Sequence, residues 1–254
     1  MAYVIAVSNQ KGGVAKTTTC MSLGACLAEQ GKQVLLVDMD PQSNLTMAAG
    51  LDPDELENTL SDLLLGEGDS AKAVHELKMP GLFLLPADIR LAGLDAELRS
   101  LHHEGYESRL LQVLAHWIKQ YDYVLLDCPP SLGAMTLMAL TAADLVMIPV
   151  QCEFYAARGL MRLMDIITAI KMRTNPPLTY HLLVTLYDKR NRISREVLAQ
   201  LQENFEGHLF ETKIEMDTRL RESPLVGEPV ILYAPRSRSS GQYRQVAQEL
   251  MALG

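Results

Sequence analysis

SNQKGGVAKTTT, residues 8–19, stands between an apolar run, 3–7, and a stretch of helical character over 17–30. Glycines and lysines therefore fall where a strand turns into a helix. Backbone N–H groups at a helix N-terminus are unpaired and carry the positive end of the dipole, and Gly12 and Gly13 let the chain fold closely around an anion. Lys16 is placed to reach terminal phosphates, and the Thr17 hydroxyl to ligate Mg2+. The usual phosphate-loop pattern, G-x-x-x-x-G-K-[ST], is broken at both fixed glycines, by Gln10 and by Ala15. What remains is a second lysine, Lys11, five residues before Lys16. Two ammonium groups in so short a loop repel unless a polyanion lies between them. A glycine-rich turn with two solvated lysines also fits these letters.

Two further apolar runs end in carboxylates. Residues 33–37 lead into Asp38-Met39-Asp40-Pro41-Gln42, and 121–126 into Asp127-Cys128-Pro129-Pro130-Ser131. Such runs signal strands buried on both faces, and the C-terminal edge of those strands is where α/β proteins hold ligands. Carboxylates there order Mg2+-bound waters or orient an attacking one. Acidic loop residues capping a following helix are the plainer alternative.

Lys11-Gly12-Gly13-Val14-Ala15-Lys16-Thr17-Thr18 resembles the deviant Walker motif of the ParA/MinD family of P-loop ATPases; VDMDPQSN (37–44) resembles the family's second conserved segment, and YVLLDCPPS (123–131) its Walker B. The resemblance implies ATP held by residues 11–18, with Lys11 reaching across a nucleotide sandwich homodimer to the partner's ATP. It gives Lys16 the β/γ-phosphates, Asp40 the hydrolytic water, and Thr17, Asp38 and Asp127 the metal. Many members have Gly where Ala15 stands. If that position needs a positive φ, alanine costs on the order of 1 kcal/mol.

At 254 residues with 48% hydrophobic and 6% aromatic content, the chain fits one large α/β domain, 1–254. Alternating strands (3–7, 33–37, 81–86, 121–126, 144–150, 180–186) and helices (17–30, 59–65, 71–77, 91–101, 106–120, 153–173, 239–253) predict a doubly wound, mostly parallel sheet of about seven or eight strands. No apolar stretch approaches the roughly 20 residues that span a bilayer. The opening strand leaves no room for a signal peptide, the phosphate loop starts too early for a preceding helix-turn-helix domain, and no basic amphipathic tail follows 239–253. A cytoplasmic protein without membrane attachment is expected. Cys20, Cys26, Cys128 and Cys152 form no C-x-x-C pair and read as buried thiols. His102 and His103 have no clear third ligand and read as surface residues. Met161, Met164 and Met172 read as core or subunit-contact residues.

Formal net charge is −8, and all of it belongs to residues 1–180, with 13 Lys+Arg against 21 Asp+Glu; residues 181–254 hold 10 of each. A polyanion is therefore met by the C-terminal part, and a basic partner by the rest. Lys189, Arg190, Arg192 and Arg195 crowd a helix start, with Arg219, Arg221, Arg236 and Arg238 beyond. No recognition helix, aromatic platform or zinc signature accompanies them, so the functional reading is contact with DNA phosphates regardless of sequence; solvated arginines paired with Glu196 and Glu222 are the alternative. LYDKR (186–190), TRLRESP (218–224) and YAPRSRS (233–239) resemble the chromosomal ParA (Soj) subgroup, which implies that Arg190 and Arg219 bind DNA in an ATP-bound dimer. Arg192, Arg221, Arg236 and Arg238 join them by proximity, giving a DNA surface within 188–244. The resemblance further implies slow hydrolysis, a nucleoid-associated location and a ParB-like activator with a basic N-terminal segment. Other readings of the same fold are a metabolic ATP-dependent enzyme of the dethiobiotin-synthetase kind, a MinD-like positioning ATPase without its membrane tail, and a reductase relative sharing an iron–sulfur cluster through Cys128.

Overall fold

The computed structural model describes residues 1–100, 105–153 and 156–253. Its strands are β1 (Tyr3–Val7), β2 (Val34–Asp38), β3 (His75–Glu76), β4 (Leu82–Leu85), β5 (Tyr123–Asp127), β6 (Leu145–Gln151) and β7 (Thr179–Thr185). They form one sheet in the order β3-β4-β2-β5-β1-β6-β7, parallel except for the β3–β4 pair. The doubly wound, mostly parallel sheet is as expected.

Strand residues alternate between two cores, as the pleat requires. Val4 and Ala6 of β1, Leu35 and Val37 of β2, and Val124 and Leu126 of β5 face one layer of helices. Ile5, Val7, Val34, Leu36 and Leu125 face the other. Near-continuous apolar strands are the mark of a sheet covered on both sides.

The helices are α1 (Lys16–Glu29), α2 (Asn44–Ala48), α3 (Leu60–Leu65), α4 (Arg90–Ser100), α5 (Arg109–Leu114), α6 (Ala134–Ala142), α7 (Ala156–Arg173), α8 (Arg192–Asn204), α9 (Arg219–Glu222), α10 (Val230–Tyr233) and α11 (Arg238–Leu253). α1 and α11 lie against the second core, α3 to α8 against the first. α1 presses close on the sheet, since a Cβ on Gly24 would come within 2.6 Å of Leu36 Cδ2. Pro149 is tolerated inside β6 because β1 ends opposite Met147, leaving no ladder bond for the missing N–H; its carbonyl accepts from Asn9 Nδ2 at 2.7 Å.

Three expectations change. Residues 71–77 are not a helix: His75 and Glu76 pair with Leu84 and Phe83 at the sheet edge, where pairing overrides local propensity. The helix expected over 106–120 is a 3-10 turn followed by the short α5; beyond it, Trp117 N–H tightens onto Leu114 O, and Ile118 O accepts instead from Ala2 N–H. Of the methionines read as core or subunit-contact residues, Met161 and Met172 are 67% and 82% exposed, which removes the core alternative for these two and leaves the subunit contact. His102 and His103 lie outside the described residues, as do 154–155, where the helix expected from 153 would begin. All four cysteines are buried and free.

Candidate functional site

Strand register assembles the site. β5 lies between β1 and β2, so Asp127 is paired with Val7 on one side and Asp38 on the other. Met39 N–H donates to Asp127 O at 3.1 Å and Cys128 N–H to Val7 O at 3.2 Å, carrying the three strands in step to their C-terminal ends. The phosphate loop leaves β1 and enters α1 at the same edge, so both carboxylates stand over the start of α1.

A cleft of about 560 Å3 opens there, within the range of small-molecule sites of about 300–1,000 Å3. Gly12, Gly13, Ala15, Lys16, Thr17 and Thr18 of the phosphate loop line it, together with Asp40, Gln42 and Asn44 after β2 and Pro130, Leu186, Asp217, Leu220 and Arg221. Ala15 has φ 66° and ψ 38°, in the left-handed region, and Gly13 has φ 75°. The positive φ that alanine disfavours is therefore present. Leu186 and Ser43, at φ 50° and 53°, are the other described non-glycines with positive φ, one in the cleft wall and one beside it.

Side chains from neighbouring strands pin the loop carbonyls outward. Thr185 Oγ1 donates to Val14 O at 2.9 Å, and Gln151 Nε2 to Gly13 O at 3.0 Å. With those carbonyls occupied, the loop's N–H groups are left for an anion. Val14 itself is buried, and serves the loop through its backbone.

The two lysines differ sharply. Lys16 is buried and lines the cleft; burial draws its pKa down, against the pull of Asp127, Cys128 and Asp40. Its ammonium lies 3.5 Å from Lys11 O. Lys11 does not line the cleft: its ammonium donates to Gln151 Oε1 at 3.0 Å and pairs with Glu153.

The carboxylates are loaded in an instructive way. Asp38 is fully buried and accepts from Thr46 N at 2.9 Å, Thr46 Oγ1 at 2.8 Å and Asp40 N at 3.1 Å. Burial nonetheless pushes it up to about 6. Asp127 is buried with neither oxygen in a well-formed hydrogen bond, and burial followed by the nearby Asp38 charge raises it well above the usual carboxylate range, against the weaker pull of the Thr17 hydroxyl and Lys16. An orphaned carboxylate beside Lys16 and Thr17 fits a hard cation. Mg2+ is usually held by one or two carboxylates plus substrate phosphates, and Asp127 with Asp38 supplies two. Asp40 lines the cleft and accepts from Gln42 N at 2.9 Å.

A family model described as AAA domain matches residues 2–180. The sporulation initiation inhibitor protein Soj of Bacillus subtilis (strain 168) is 41% identical over 255 residues, covering 100% of both chains. The chain belongs to the ParA/MinD family of P-loop ATPases. The chromosome partitioning protein ParA of Caulobacter vibrioides (strain NA1000 / CB15N) is 39% identical over 98% of this chain and 94% of its own. Among solved structures, one from Mycobacterium smegmatis, named cobyrinic acid a,c-diamide synthase and holding ADP and magnesium, is 41% identical with TM-score 0.86, over 99% of this chain and 94% of that one. The fold is thus that of a ParA/MinD ATPase, and no described helix is long and apolar enough to cross a membrane.

Within that family fold, residues 12–18 together with Asp38, Asp40 and Asp127 are brought to one edge; of the arginines only Arg221 joins them. Arg190 and Arg192 stand far out on the surface, pairing with Asp188 at 3.1 Å and Glu196 at 2.7 Å. Arg219 faces Glu222 at 3.7 Å, Arg238 pairs with Glu215 at 2.8 Å, and Arg236 is exposed. Arg221 lines the nucleotide-sized cleft. Thr46, Gln151, Glu153 and Thr185 had no signal in the sequence, because each acts through a contact across at least eight residues of chain. Cys128 is 1% exposed, its thiol directed at Leu126 O, a poor position for a cluster shared between subunits.

Proposed function

We propose that this ParA/MinD ATPase binds ATP with Mg2+, dimerises on it, binds DNA without sequence preference as the dimer, and positions cargo through a partner-stimulated hydrolysis cycle. Residues 11–18 hold the triphosphate, with Lys16 on the β/γ-phosphates. Thr17, Asp127 and Asp38, the last two through water, are the groups that would hold magnesium, which supplies charge neutralisation at the phosphate oxygens. Asp40 orients the attacking water. The closest support for a shared site is the placement of Lys11, held at the rim by Gln151 and Glu153 and turned away from its own cleft. A lysine so placed serves a nucleotide approaching from outside, as in a second subunit.

Turnover is slow in this reading, since each site lacks its full charge clamp until the dimer closes. Arg190 and Arg219, joined by Arg192, Arg236, Arg238 and Arg221 within 188–244, the last also lining the nucleotide cleft, contact DNA phosphates, with Arg190 and Arg219 exchanging Asp188 and Glu222 for them. A ParB-like activator with a basic N-terminal segment meets the acidic part of the chain, and the protein sits on the nucleoid in the cytoplasm. Light scattering with ATP or ADP, followed by DNA binding across a salt series, tests this. A dimer with ATP alone, whose DNA affinity falls steeply with salt, is expected; a monomer in saturating ATP overturns it.

The M. smegmatis protein named as a diamide synthase favours a second reading, an ATP-dependent metabolic enzyme. Turnover would then require a small-molecule acid and ignore DNA.

A further inference from the structure

On the side of the sheet opposite α1, a cavity of about 420 Å3 lies between α3 and α5 and shares no residue with the nucleotide cleft. α5 and the turns after it bring Arg109, Gln112 and His116 to this cavity at spacings of three and four, with Val113 and Trp117 beside them, while Leu110 and Leu114 are buried below. α3 faces them with Leu63 and Leu65 and ends at Gly66, whose left-handed φ of 78° turns the chain out of the helix. Arg109 is the one fixed charge among the described lining residues. It is half-buried, and among the described residues no carboxylate pairs with it. Asp69, in the loop that follows Gly66, is engaged elsewhere: it accepts from Ala71 N–H at 3.0 Å and faces Lys72 at 3.7 Å. Acids outnumber bases by 21 to 13 over residues 1–180, so a cavity whose fixed charge is positive runs against its surroundings. A half-buried guanidinium between leucines and an indole is best satisfied by an anion of matching shape.

We propose that this cavity binds a small free monocarboxylic acid with an apolar or aromatic body, its carboxylate forked by Arg109 and its body against Leu63, Leu65, Val113 and Trp117. The volume suits a small molecule. Charge selects carboxylate over phosphate. One guanidinium balances one negative charge, and its parallel N–H groups match two carboxylate oxygens, whereas a phosphate dianion would stay half-neutralised beside apolar walls. Gln112 and His116, both exposed, add hydrogen-bond donors at the rim. The backbone argues for a free acid over the end of a peptide. Gly66 N–H donates to Leu63 O at 3.2 Å, and Glu67 and Gly68 N–H donate to Asp62 O at 2.9 and 3.2 Å. Asp69 N–H donates to Asn58 Oδ1 at 2.9 Å. With these donors spent, the loop offers no N–H row for an extended chain to pair with, and recognition falls to side chains. Neither ATP, DNA nor a second subunit enters this site, so it stands or falls apart from the function proposed above.

Trp117 is the chain's single tryptophan and is 6% exposed in the wall of this cavity, so indole emission reports occupancy without a label. The full chain is titrated with hexanoate and 3-phenylpropanoate, with the amide of each, with inorganic phosphate, and with a short acetylated peptide ending in a phenylalanine carboxylate; calorimetry runs in parallel. At least one acid should change the emission saturably and bind at least about tenfold more tightly than its uncharged amide. Arg109→Gln should bring that acid down to the affinity of its amide and leave the amide unaffected. Leu65→Glu, at a lining position 45% exposed, should weaken the acid by about tenfold or more through like-charge repulsion and spare the amide. Both variants should keep basal ATPase, and Leu65→Glu carries the test if Arg109→Gln fails to fold. Silence from both acids up to about 10 mM in emission and heat, equal binding of acid and amide, or an acid preference that survives either substitution overturns the site. Phosphate binding as tightly as the acids overturns the choice of a monocarboxylate, and a peptide that binds more tightly than both overturns the free acid as occupant.

Discussion

Thr46→Val removes one oxygen and should cost both stability and turnover. The Thr46 hydroxyl is fully buried, donates to Asp38 Oδ2 at 2.8 Å and accepts from Ala87 N–H at 3.1 Å. A hydrogen bond to a charged group contributes about 1.5–3 kcal/mol, and a buried N–H left alone costs about 1–3 kcal/mol. Thr46 N–H continues to hold Asp38 at 2.9 Å, so values near the lower ends apply, about 3 kcal/mol together. For a domain of this size that is a fall in Tm of roughly 6–12 °C. Asp38 then loses part of its orientation, and kcat should drop about 10- to 100-fold with KM little changed, as when a partner behind a metal-supporting group is lost. Thr46→Ser keeps the hydroxyl and gives up only a methyl, about 1 kcal/mol. Urea unfolding and steady-state ATPase on both variants decide the matter. If valine and serine behave alike in stability and in kcat, the hydroxyl is not what holds Asp38.

Ala15→Gly should leave stability within about 1 kcal/mol of wild type, since relief of left-handed strain is offset by greater freedom of the unfolded chain; Ala15→Val should lose about 2 kcal/mol. Denaturant melts check both, and a valine variant as stable as wild type contradicts the positive φ. Arg90 joins Asp62 and Asp88 by bonds of 2.6 Å each. Burial pulls these carboxyls up, but hydrogen bonds from Arg90, with others from Thr59 and Ser61, outweigh it and hold both below their ordinary value. Depressed carboxyls stabilise the fold above the unfolded pKa near 3.8 and lose that contribution as pH falls through their folded values. Arg90→Ala should therefore cost about 3 kcal/mol at pH 7 and progressively less below about pH 4, and a cost that is flat with pH in equilibrium unfolding contradicts it. Arg190→Ala combined with Arg219→Ala should reduce the slope of log affinity for DNA against log salt by about 2 per subunit without altering basal ATPase; an unchanged slope removes these arginines from the DNA surface.

Much of the fold was readable because long apolar runs ending in Asp38 and Asp127 can only be strands covered on both faces. The loop and carboxylates were readable because their roles depend on local order: a helix start for residues 12–18, a strand tip for each acid. α6 was not, since AMTLMALTA is apolar on every side and carries no helical alternation. The edge strand at His75–Glu76 escaped for the opposite reason, its two residues taking their conformation from β4. Thr46, Gln151 and Glu153 escaped because nothing near them in the chain marks them; folding brings them to Asp38, Gly13 and Lys11. The arginines were visible as charge, but their acid partners Asp188, Glu215 and Glu222 show how weakly charge alone specifies a surface.

Mixing two inactive variants measures the shared site directly. In Lys11→Ala the site keeps Asp40 and needs only a lysine from across the dimer; in Asp40→Ala the lysine is intact and the site is dead. If Lys11 acts in trans, an equimolar mixture regains ATPase, approaching about one quarter of the wild-type rate, because half of the two-fold dimers are mixed and each of those has one complete site. If Lys11 serves its own nucleotide, no combination of these chains contains a complete site, and the mixture stays as inactive as either variant alone.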